Sequence, residues 1–448
     1  MASAAEQLAA NINLKAFSKA EDLKKRIWFT IGVLIVYRLA TYIPLPGINP
    51  AVMAEFARTH GGGIFGMVDM FSGGALSRMS IMALNIMPYI SASIIIQLMT
   101  AIAPQFEALK KEGESGRRKL NQYTRYLTVL IAVLQSYGAA VGLEALQGAA
   151  GSAVMDPGIF FRLTTVVTIV GATLFLMWLG EQITGRGIGN GISLIIFAGI
   201  VANLPSSIVN ALELGRTGAL SYLFILFILV FSIGMIAFIV FIERAQRRIF
   251  IQYPKRQVGN KMFGGESSHL PIKLNSTGVI PPIFASSLLL LPLSLAQLSG
   301  GRGPEWLQWI LGGLHHGGVV YIAIYLFLIV FFAFFYTSIV FNPQETAENL
   351  KKNGGFIPGH RPGVNTANYL DFVVTRLTVI GAAYLAFVCA VPEFLYSVYS
   401  LPFYLGGTTF LIAVSVPMDT VAQIHSHLLA HQYEGLLKKT RLVKGTQR

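Results

Sequence analysis

Charge and cysteine are both scarce in this sequence, and their scarcity argues against several classes of protein. Only 12% of the 448 residues are Asp, Glu, Lys or Arg, whereas soluble domains carry about 25%, which argues against a soluble globular protein. The single cysteine, Cys389, excludes a disulfide framework and a cluster of cysteine metal ligands. The patterns typical of P-loop nucleotidases, zinc proteases and serine hydrolases are absent, so the sequence indicates no common class of enzyme.

Apolar residues make up 54% of the chain and lie in long runs. A bilayer core about 30 Å thick needs about 20 mostly apolar residues per helix. Nine long intervals contain no charged residue: 79–106, 126–143, 163–180, 187–212, 217–242, 274–301, 306–344, 377–392 and 394–418. A tenth apolar interval, 27–43, is interrupted by Arg38 and stopped by Pro44 and Pro46. Ten membrane spans are therefore predicted.

The amino-terminal span, 27–43, follows three basic residues, 24–26, and so imitates the start of a signal peptide. No small-residue cleavage site follows before the proline-rich break, and the further spans need an orienting first helix. The sequence therefore favours a retained span over a cleaved signal.

Basic residues are distributed unequally between the two sides of the predicted membrane. Lysine and arginine outnumber aspartate and glutamate by 34 to 21, a formal charge of +13, and 28 of the 34 fall on the cytoplasmic side if the amino terminus is cytoplasmic. The opposite side receives only Arg58, Arg78, Arg162, Arg216 and Arg302. The positive-inside rule thus orients the chain with both termini in the cytoplasm, and topology alone explains much of the positive charge.

Ten spans divide the chain into a cytoplasmic amino-terminal segment, 1–26, two halves of five spans, 27–212 and 213–418, and a cytoplasmic tail, 419–448. Because five is odd, each half enters and leaves on opposite sides, and a duplicated half would be inverted. Two cytoplasmic loops of the second half, 243–275 and 345–376, exceed what a connection between helices needs. These loops predict a docking surface.

Four spans carry polar or small residues at similar depth. The stretches are residues 85–97, RGIGNGIS at 186–193, STGVIPPIFASS at 276–287 and GGTT at 406–409. Polar groups inside a membrane favour a bundle interior or contact with water, but small residues also favour close helix packing, so composition leaves both interpretations open. Pro88, Pro281 and Pro282 predict local bends in their helices.

Before the second span, residues 60–78 hold a short apolar centre, 64–71, with glycines on both sides. This centre is too short to cross a bilayer. It either folds back into a cavity, as glycine-rich ends allow, or lies along the outer surface as an interfacial segment.

Several motifs along the chain together resemble the SecY family. They are FSGGALSR at 71–78, MPYISASIIIQL at 87–98, KKEGESGRRK at 110–119, MWLGEQIT at 177–184, RGIGNGIS at 186–193, VFNPQETAENLKKNGGFIPGHRPG at 340–363 and PFYLGG at 402–407. The resemblance runs from about residue 20 to residue 445, and it rests on many motifs rather than on one.

The resemblance implies an all-α polytopic membrane protein with ten transmembrane helices in two inverted five-helix halves, which form a clamshell closed by a short plug helix. It implies the central channel subunit of the Sec translocase in the bacterial inner membrane, a passive gated conduit for unfolded secretory polypeptides. Segments of membrane proteins would leave sideways into the bilayer. The resemblance implies no catalytic residue, cofactor or metal, because partner proteins supply the energy.

The same resemblance assigns an apolar constriction to six isoleucines. They are Ile86, Ile90, Ile192, Ile196, Ile283 and Ile412. Residues 86 and 90, like 192 and 196, are four positions apart and share one helix face. A ring of branched apolar side chains hinders ions by dewetting, although each isoleucine taken singly would be interpreted as ordinary helix packing.

The resemblance also assigns a plug and a lateral gate. The plug, residues 61–72, includes Ile64, Phe65, Met67, Val68, Met70 and Phe71. The gate lies between spans two and three on one side and spans seven and eight on the other. Its candidate polar residues are Gln97, Gln135 and Asn275, for each of which a structural interhelical hydrogen bond is the alternative.

Basic residues of the two long loops resemble docking sites for the ribosome and the SecA motor. The candidates are Arg244, Arg247, Arg248, Lys255, Arg256, His360 and Arg361. Arg361 is the strongest of them, whereas the positive-inside rule also accounts for the other basic residues. The further implied partners are the SecE and SecG membrane subunits, signal sequences and nascent polypeptides, SecDF and YidC, and membrane lipids.

Some positions depart from the family pattern. Pro282 stands where a small residue is expected, Asn85 where glycine is common before IMPYI, and His360 where an aliphatic residue is expected. The first two adjoin ring positions and therefore affect the predicted bending of those helices. A histidine group near the carboxyl terminus, His425, His427 and His431, is interpreted as an interfacial helix surface rather than a metal site.

Two other classes of function are considered. A small-solute transporter shares the inverted architecture but needs a midplane binding site, and Asp419, Glu393 and Arg38 are too scattered to form one. An intramembrane protease of the aspartyl type needs a GxGD setting, which Asp371 lacks.

Overall fold

The computed structural model describes residues 21–60, 69–148, 151–218, 221–253, 256–258, 261–263, 267–298, 318–399 and 406–445. In the first half the helices are α1 Glu21–Ala40, α2 Pro50–His60, α3 Met87–Ile102, α4 Pro104–Lys111, α5 Glu114–Ala145, α6 Ile159–Arg186 and α7 Gly191–Arg216. In the second half they are α8 Tyr222–Arg244, α9 Ile280–Leu298, α10 Val319–Val340, α11 Pro343–Lys352, α12 Val364–Tyr399 and α13 Gly407–Gly445. The described chain is thus mostly helical, as predicted.

Short antiparallel strand pairs complete the described secondary structure. They are β1 Gln147–Gly148 with β2 Gly151–Ser152, β3 Gln246–Gln252 with β6 Ser267–Lys273, and β4 Arg256–Val258 with β5 Lys261–Phe263. The β3–β6 pair forms the base of the 243–275 loop, with Gln246 opposite Lys273 and Gln252 opposite Ser267.

Seven of the described helices are long and apolar enough to cross a membrane. The pair α3 and α4, bent by 97° at Ala103, makes eight if it counts as one span. The predicted spans 27–43 and 274–301 overlap α1 and α9, which are not among the helices counted. The polytopic class is therefore confirmed, whereas the number ten stays a prediction.

The predicted boundary between the last two spans is wrong. It was placed at Glu393 because a charge usually ends an apolar span, but α12 continues through Pro392 and Glu393 to Tyr399. The Glu393 side chain is only 1% exposed, so it lies in the protein interior and does not mark an end of the helix. The last helix begins at Gly407.

The predicted bends at three prolines are also wrong. Pro88 stands in the first turn of α3, and Pro281 and Pro282 stand in the first turn of α9. At these positions the backbone N–H that proline lacks has no intrahelical partner in any case, so proline starts a helix instead of bending it. Residues 79–86, predicted as the beginning of the second span, form turns before α3.

A large apolar core joins the two halves. It contains buried residues of α1, α3, α6 and α7 together with residues of α8, α9, α10, α12 and α13. Within it, α9 packs against both α3 and α5 and also against α10. The most apolar span, α8, is buried over only 11% of its length, so most of its surface faces outward.

Candidate functional site

Four of the six predicted ring isoleucines line one small cavity in the core. Ile86, Ile90, Ile196 and Ile283 surround a space of about 10 Å³, which is close to the minimum that holds one water molecule. Ile412 is 1% exposed and Ile192 is partly buried, and both belong to the same apolar cluster. All six predicted residues therefore share one core.

Local sequence explains how these side chains are positioned. Ile86 is the N-cap of α3, whose first turn contains Pro88. At the start of α7 the Oδ1 of Asn190 accepts hydrogen bonds from the backbone N–H groups of Ile192 and Ser193 at 3.1 and 3.4 Å, an N-cap that fixes where the helix begins. Ile192 and Ile196 then follow one turn apart.

The end of the predicted plug lies directly against this constriction. Met70 and Phe71 are each 5% exposed, and Phe71 lines the same cavity as the four isoleucines. The hydroxyl of Thr409 in α13 donates to the sulfur of Met70 at 3.4 Å. The other predicted plug residues, Ile64, Phe65, Met67 and Val68, lie outside the described residues.

Asp69, inside the predicted plug, organises the turns that follow this segment. Its Oδ1 accepts a hydrogen bond from the backbone N–H of Ser77 at 2.7 Å, and its carbonyl accepts from the N–H of Gly74 at 2.9 Å. Burial raises the pKa of the Asp69 carboxyl, and the hydrogen bonds from Ser77 partly oppose this increase. The segment between the plug and α3 is thus tightly folded.

The helices of the predicted lateral gate are in contact, but their candidate polar residues differ in position. Gln97 lies on α3, where its Nε2 donates to Ser93 Oγ at 3.3 Å, and Gln135 lies on α5. Within the part of the chain that the structure describes, the Oε1 atoms of both glutamines are buried without a hydrogen-bond partner.

Asn275 lies between the end of β6 and the start of α9. Its Nδ2 donates to Glu243 Oε1 at 2.7 Å and to the carbonyl of Gly278 at 3.1 Å, and its Oδ1 accepts from the hydroxyl of Thr277 at 2.8 Å. These bonds connect the end of α8 to the residues before α9, so the structure does not bring Asn275 together with α3 or α5 through them.

The two predicted docking loops form one surface. Backbone hydrogen bonds of 2.9 and 3.0 Å join Gln252 at the end of β3 to Phe356 in the other loop. Arg244, Arg247 and Arg248 are exposed around the start of β3. Lys255 lies outside the described residues, and the structure describes only the backbone of Arg256, in β4.

His360 and Arg361 border a groove of about 570 Å³. The His360 ring stacks on Tyr369 with ring centroids 4.1 Å apart, and the carbonyl of Arg361 accepts a hydrogen bond from the hydroxyl of Thr366 at 2.9 Å. Both contacts attach the loop to the first turns of α12. The exposed Arg361 side chain is thereby presented from a fixed backbone.

One residue close to the constriction was not predicted as part of it. In the sequence Arg38 only interrupts the first predicted span, whereas in the structure its Nη1 lies 3.0 Å from the carbonyl of Gly73. Its charge could have indicated this contact, because a charged residue inside an apolar span usually has a specific partner.

Comparison with known proteins gives consistent matches along the chain. The SecY family model matches residues 80–421. The protein translocase subunit SecY of Rickettsia conorii is 54% identical over 428 residues, 95% of this chain and 99% of that protein. The subunit of the same name from Escherichia coli K12 is 53% identical over 422 residues, 94% of this chain and 95% of that protein.

Solved structures with the same fold are more distant in sequence. One described as a protein-conducting channel has a TM-score of 0.62 at 18% identity and covers 90% of this chain and 92% of that chain. Sec61 in a canine ribosome–channel complex has a TM-score of 0.58 at 17% identity, with the same coverage. These matches show a common fold.

Proposed function

Because the chain belongs to the SecY family of protein translocase subunits, we propose how its described residues form and gate a path for polypeptides. The protein is a protein-conducting channel subunit of a translocase and not an enzyme. It acts as the central, passive subunit that lets unfolded secretory polypeptides cross the membrane and releases membrane-protein segments sideways. Partner proteins supply the energy.

The observation that carries this mechanism is the shared cavity of Ile86, Ile90, Ile196 and Ile283. These side chains come from both halves of the chain and border a space of only about 10 Å³, whose lining is completed by Phe71, Asn85, Met87, Ser286 and Ser287. Aliphatic side chains offer no hydrogen bonds to water or to ions, so a constriction of this kind opposes ion passage by dewetting. The same side chains can change rotamer around a translocating polypeptide.

The plug, residues 61–72, is proposed to close the external funnel above this ring. In support, Phe71 at its end touches the cavity that the isoleucines line, and Met70 contacts Thr409 in the second half. A plug that touches both halves can be released when they move apart.

The lateral gate is proposed at the contact of α9 with α3 and α5. A buried polar atom without a partner costs about 1–3 kcal/mol, and among the residues that the structure describes the Oε1 atoms of Gln97 and Gln135 have none. These costs weaken the closed packing, which suits a seam that an apolar signal sequence must part. Asn275 is proposed to act at the cytoplasmic approach to α9.

The joined loops are proposed as the docking surface for the SecA motor and the ribosome. Arg361 is exposed beside the groove at His360 and is suited to a shaped protein contact. Arg244, Arg247 and Arg248 suit ribosomal RNA, because basic side chains bind phosphates in a salt-dependent way. Lys255 and Arg256 are assigned to the same surface.

The remaining partners and the location follow from the family and the charge distribution. SecE and SecG are proposed membrane partners, with SecDF and YidC as further ones, and the outward face of α8 is available to these subunits or to lipid. We place the protein in the bacterial inner membrane. Both termini face the cytoplasm, because 28 of 34 basic residues then lie on that side.

Reconstitution tests the function directly. The chain is placed in vesicles with SecE and SecG, and SecA, ATP and an unfolded secretory precursor are added. We expect the precursor to become protected from external protease only when SecA and ATP are present. Uptake of small solutes without passage of the precursor would refute the proposed function.

A further inference from the structure

Residues 71–73, the last two residues of the plug and the one that follows, present consecutive backbone carbonyls to side chains from elsewhere in the first half. The Nδ2 of Asn85 donates to the carbonyl of Phe71 at 2.6 Å. The hydroxyl of Tyr37, in α1, donates to the carbonyl of Ser72 in a longer contact of 3.4 Å. The two donors lie 3.5 Å apart, so they form one connected group.

The next carbonyl, that of Gly73, accepts from two guanidinium groups. Arg38 Nη1 lies at 3.0 Å and Arg78 Nη2 at 3.2 Å. Both guanidiniums also lie over the ring of Tyr42, at 5.6 and 4.3 Å from its centroid. Cation–π contacts of this kind help to hold an arginine in place, so the donors to Gly73 are themselves positioned.

Asn85 stands at a position where its backbone does not require an asparagine. Its φ is +48°, a conformation that glycine adopts without strain and that asparagine tolerates. Its side chain is 3% exposed and reaches the Phe71 carbonyl, and the next residue in the chain is Ile86 of the ring. The asparagine side chain therefore connects the plug to the ring at a site where glycine would satisfy the backbone.

The backbone of α7 closes the other side of this segment. A Cβ atom added at Gly199 would lie 2.9 Å from the Phe71 carbonyl oxygen and 3.2 Å from the Tyr37 hydroxyl. Residues 71–73 are thus seated between α1, the turn at Asn85 and α7 with no space for another atom.

We propose that Asn85, Tyr37 and Arg38 form a latch that holds the end of the plug against the pore ring and keeps the resting channel closed. The latch deepens the proposed function, because it rests on the assignment of residues 61–72 as the plug. Asn85 is its central positioning residue, since it joins the carbonyl of Phe71 to the turn that carries Ile86. The carbonyls regain water when the plug leaves, so each contact favours the closed state by the net value of one hydrogen bond, about a fivefold change in the closed-to-open ratio.

Plug exposure tests the latch without any transport assay. A reporter cysteine replaces Met70, which is 5% exposed, in a Cys389→Ala background, and its rate of modification by a water-soluble thiol reagent is measured in the reconstituted complex. Asn85→Gly keeps the backbone unstrained and removes the donor to the Phe71 carbonyl together with the Oδ1, a buried acceptor without a partner among the described residues; from the loss of the donor we expect about fivefold faster modification. Asn85→Asp places a carboxylate against the Phe71 carbonyl and is expected to increase the rate further.

Asn49→Gly is the matched control. Asn49 accepts a hydrogen bond from the backbone N–H of Ala51 in the external loop, so this variant makes the same chemical change away from residues 71–73. It is expected to leave the modification rate at the starting value. Thermal unfolding of each variant checks that the folded core persists.

A double-mutant cycle separates a latch from a general loss of stability. Tyr37→Phe alone is expected to accelerate modification. The Asn85→Gly/Tyr37→Phe pair is expected to accelerate it by less than the product of the two single fold-changes, because the groups belong to one network. Unchanged rates in Asn85→Gly and Asn85→Asp, or strictly multiplicative effects in the pair, would overturn the latch. Failure of the unmodified channel to pass a precursor would instead refute the proposed function, since the modification rate does not depend on transport.

Discussion

Replacement of Ile196 by alanine tests the proposed seal at a single ring position. The side chain is 4% exposed, and the change removes three carbon atoms. At about 0.8 kcal/mol for each buried methylene, the loss of burial is about 2.4 kcal/mol, and the space left behind raises the cost to roughly 3 kcal/mol. If half of this cost, ~1.4 kcal/mol, is lost from the closed ring alone, resting ion conductance is expected to increase about tenfold.

The assay is the current through reconstituted channels in a planar bilayer without a precursor. Ile239→Ala is the matched control, because Ile239 is 0% exposed in the same core but lies on α8 and does not line the cavity. We expect both variants to lower the unfolding temperature and only Ile196→Ala to increase the current. Equal currents in the two variants, or no change with Ile196→Ala, would refute the reasoning that the cavity marks the seal.

Three further changes probe other parts of the channel. Gly199→Ala places a Cβ 2.9 Å from the Phe71 carbonyl and is expected to push the end of the plug outward, so resting conductance should increase severalfold; wild-type conductance would show that the segment has room to adjust. Arg361→Glu should reduce SecA-driven export at least tenfold while the unfolding temperature stays unchanged, and normal export would remove its docking role. Gln135→Leu eliminates a buried acceptor that has no partner in the described parts of the chain and should stabilise the closed gate by about 1–2 kcal/mol. Slower membrane insertion of a signal-anchored protein is the expected readout, and an unchanged or faster rate would contradict it.

Boundaries of the spans were predicted less well than their existence. A charged residue is taken to end a span in the sequence. This rule failed at Glu393, because that carboxyl is enclosed by the fold and α12 passes through it. Proline was used to predict bends, and it failed at Pro88 because its effect depends on its position in the helix. Both errors arise because the burial of a residue and its position within a helix are not specified by its neighbours in the sequence.

The residues of the candidate site were also predicted only in part from the sequence. Motif resemblance placed six isoleucines in one ring, and the structure brings all six into one core. It also grouped Asn275 with Gln97 and Gln135, although the hydrogen bonds of Asn275 connect α8 with the approach to α9. The role of Asn85 appeared in the sequence only as an unusual residue at a glycine position.

The sequence by itself determined the class of protein and the approximate course of the chain, because hydropathy and charge are local properties that act within each segment of about 20 residues. Only the tertiary structure decided which polar side chains meet the end of the plug. Arg38 and Gly73, or Asn85 and Phe71, belong to different elements, and their partnership depends on how α1, α3 and α7 pack around one cavity. The small number of charged residues indicated a membrane protein, and the packing of the helices decided which contact one of those residues, Arg38, makes.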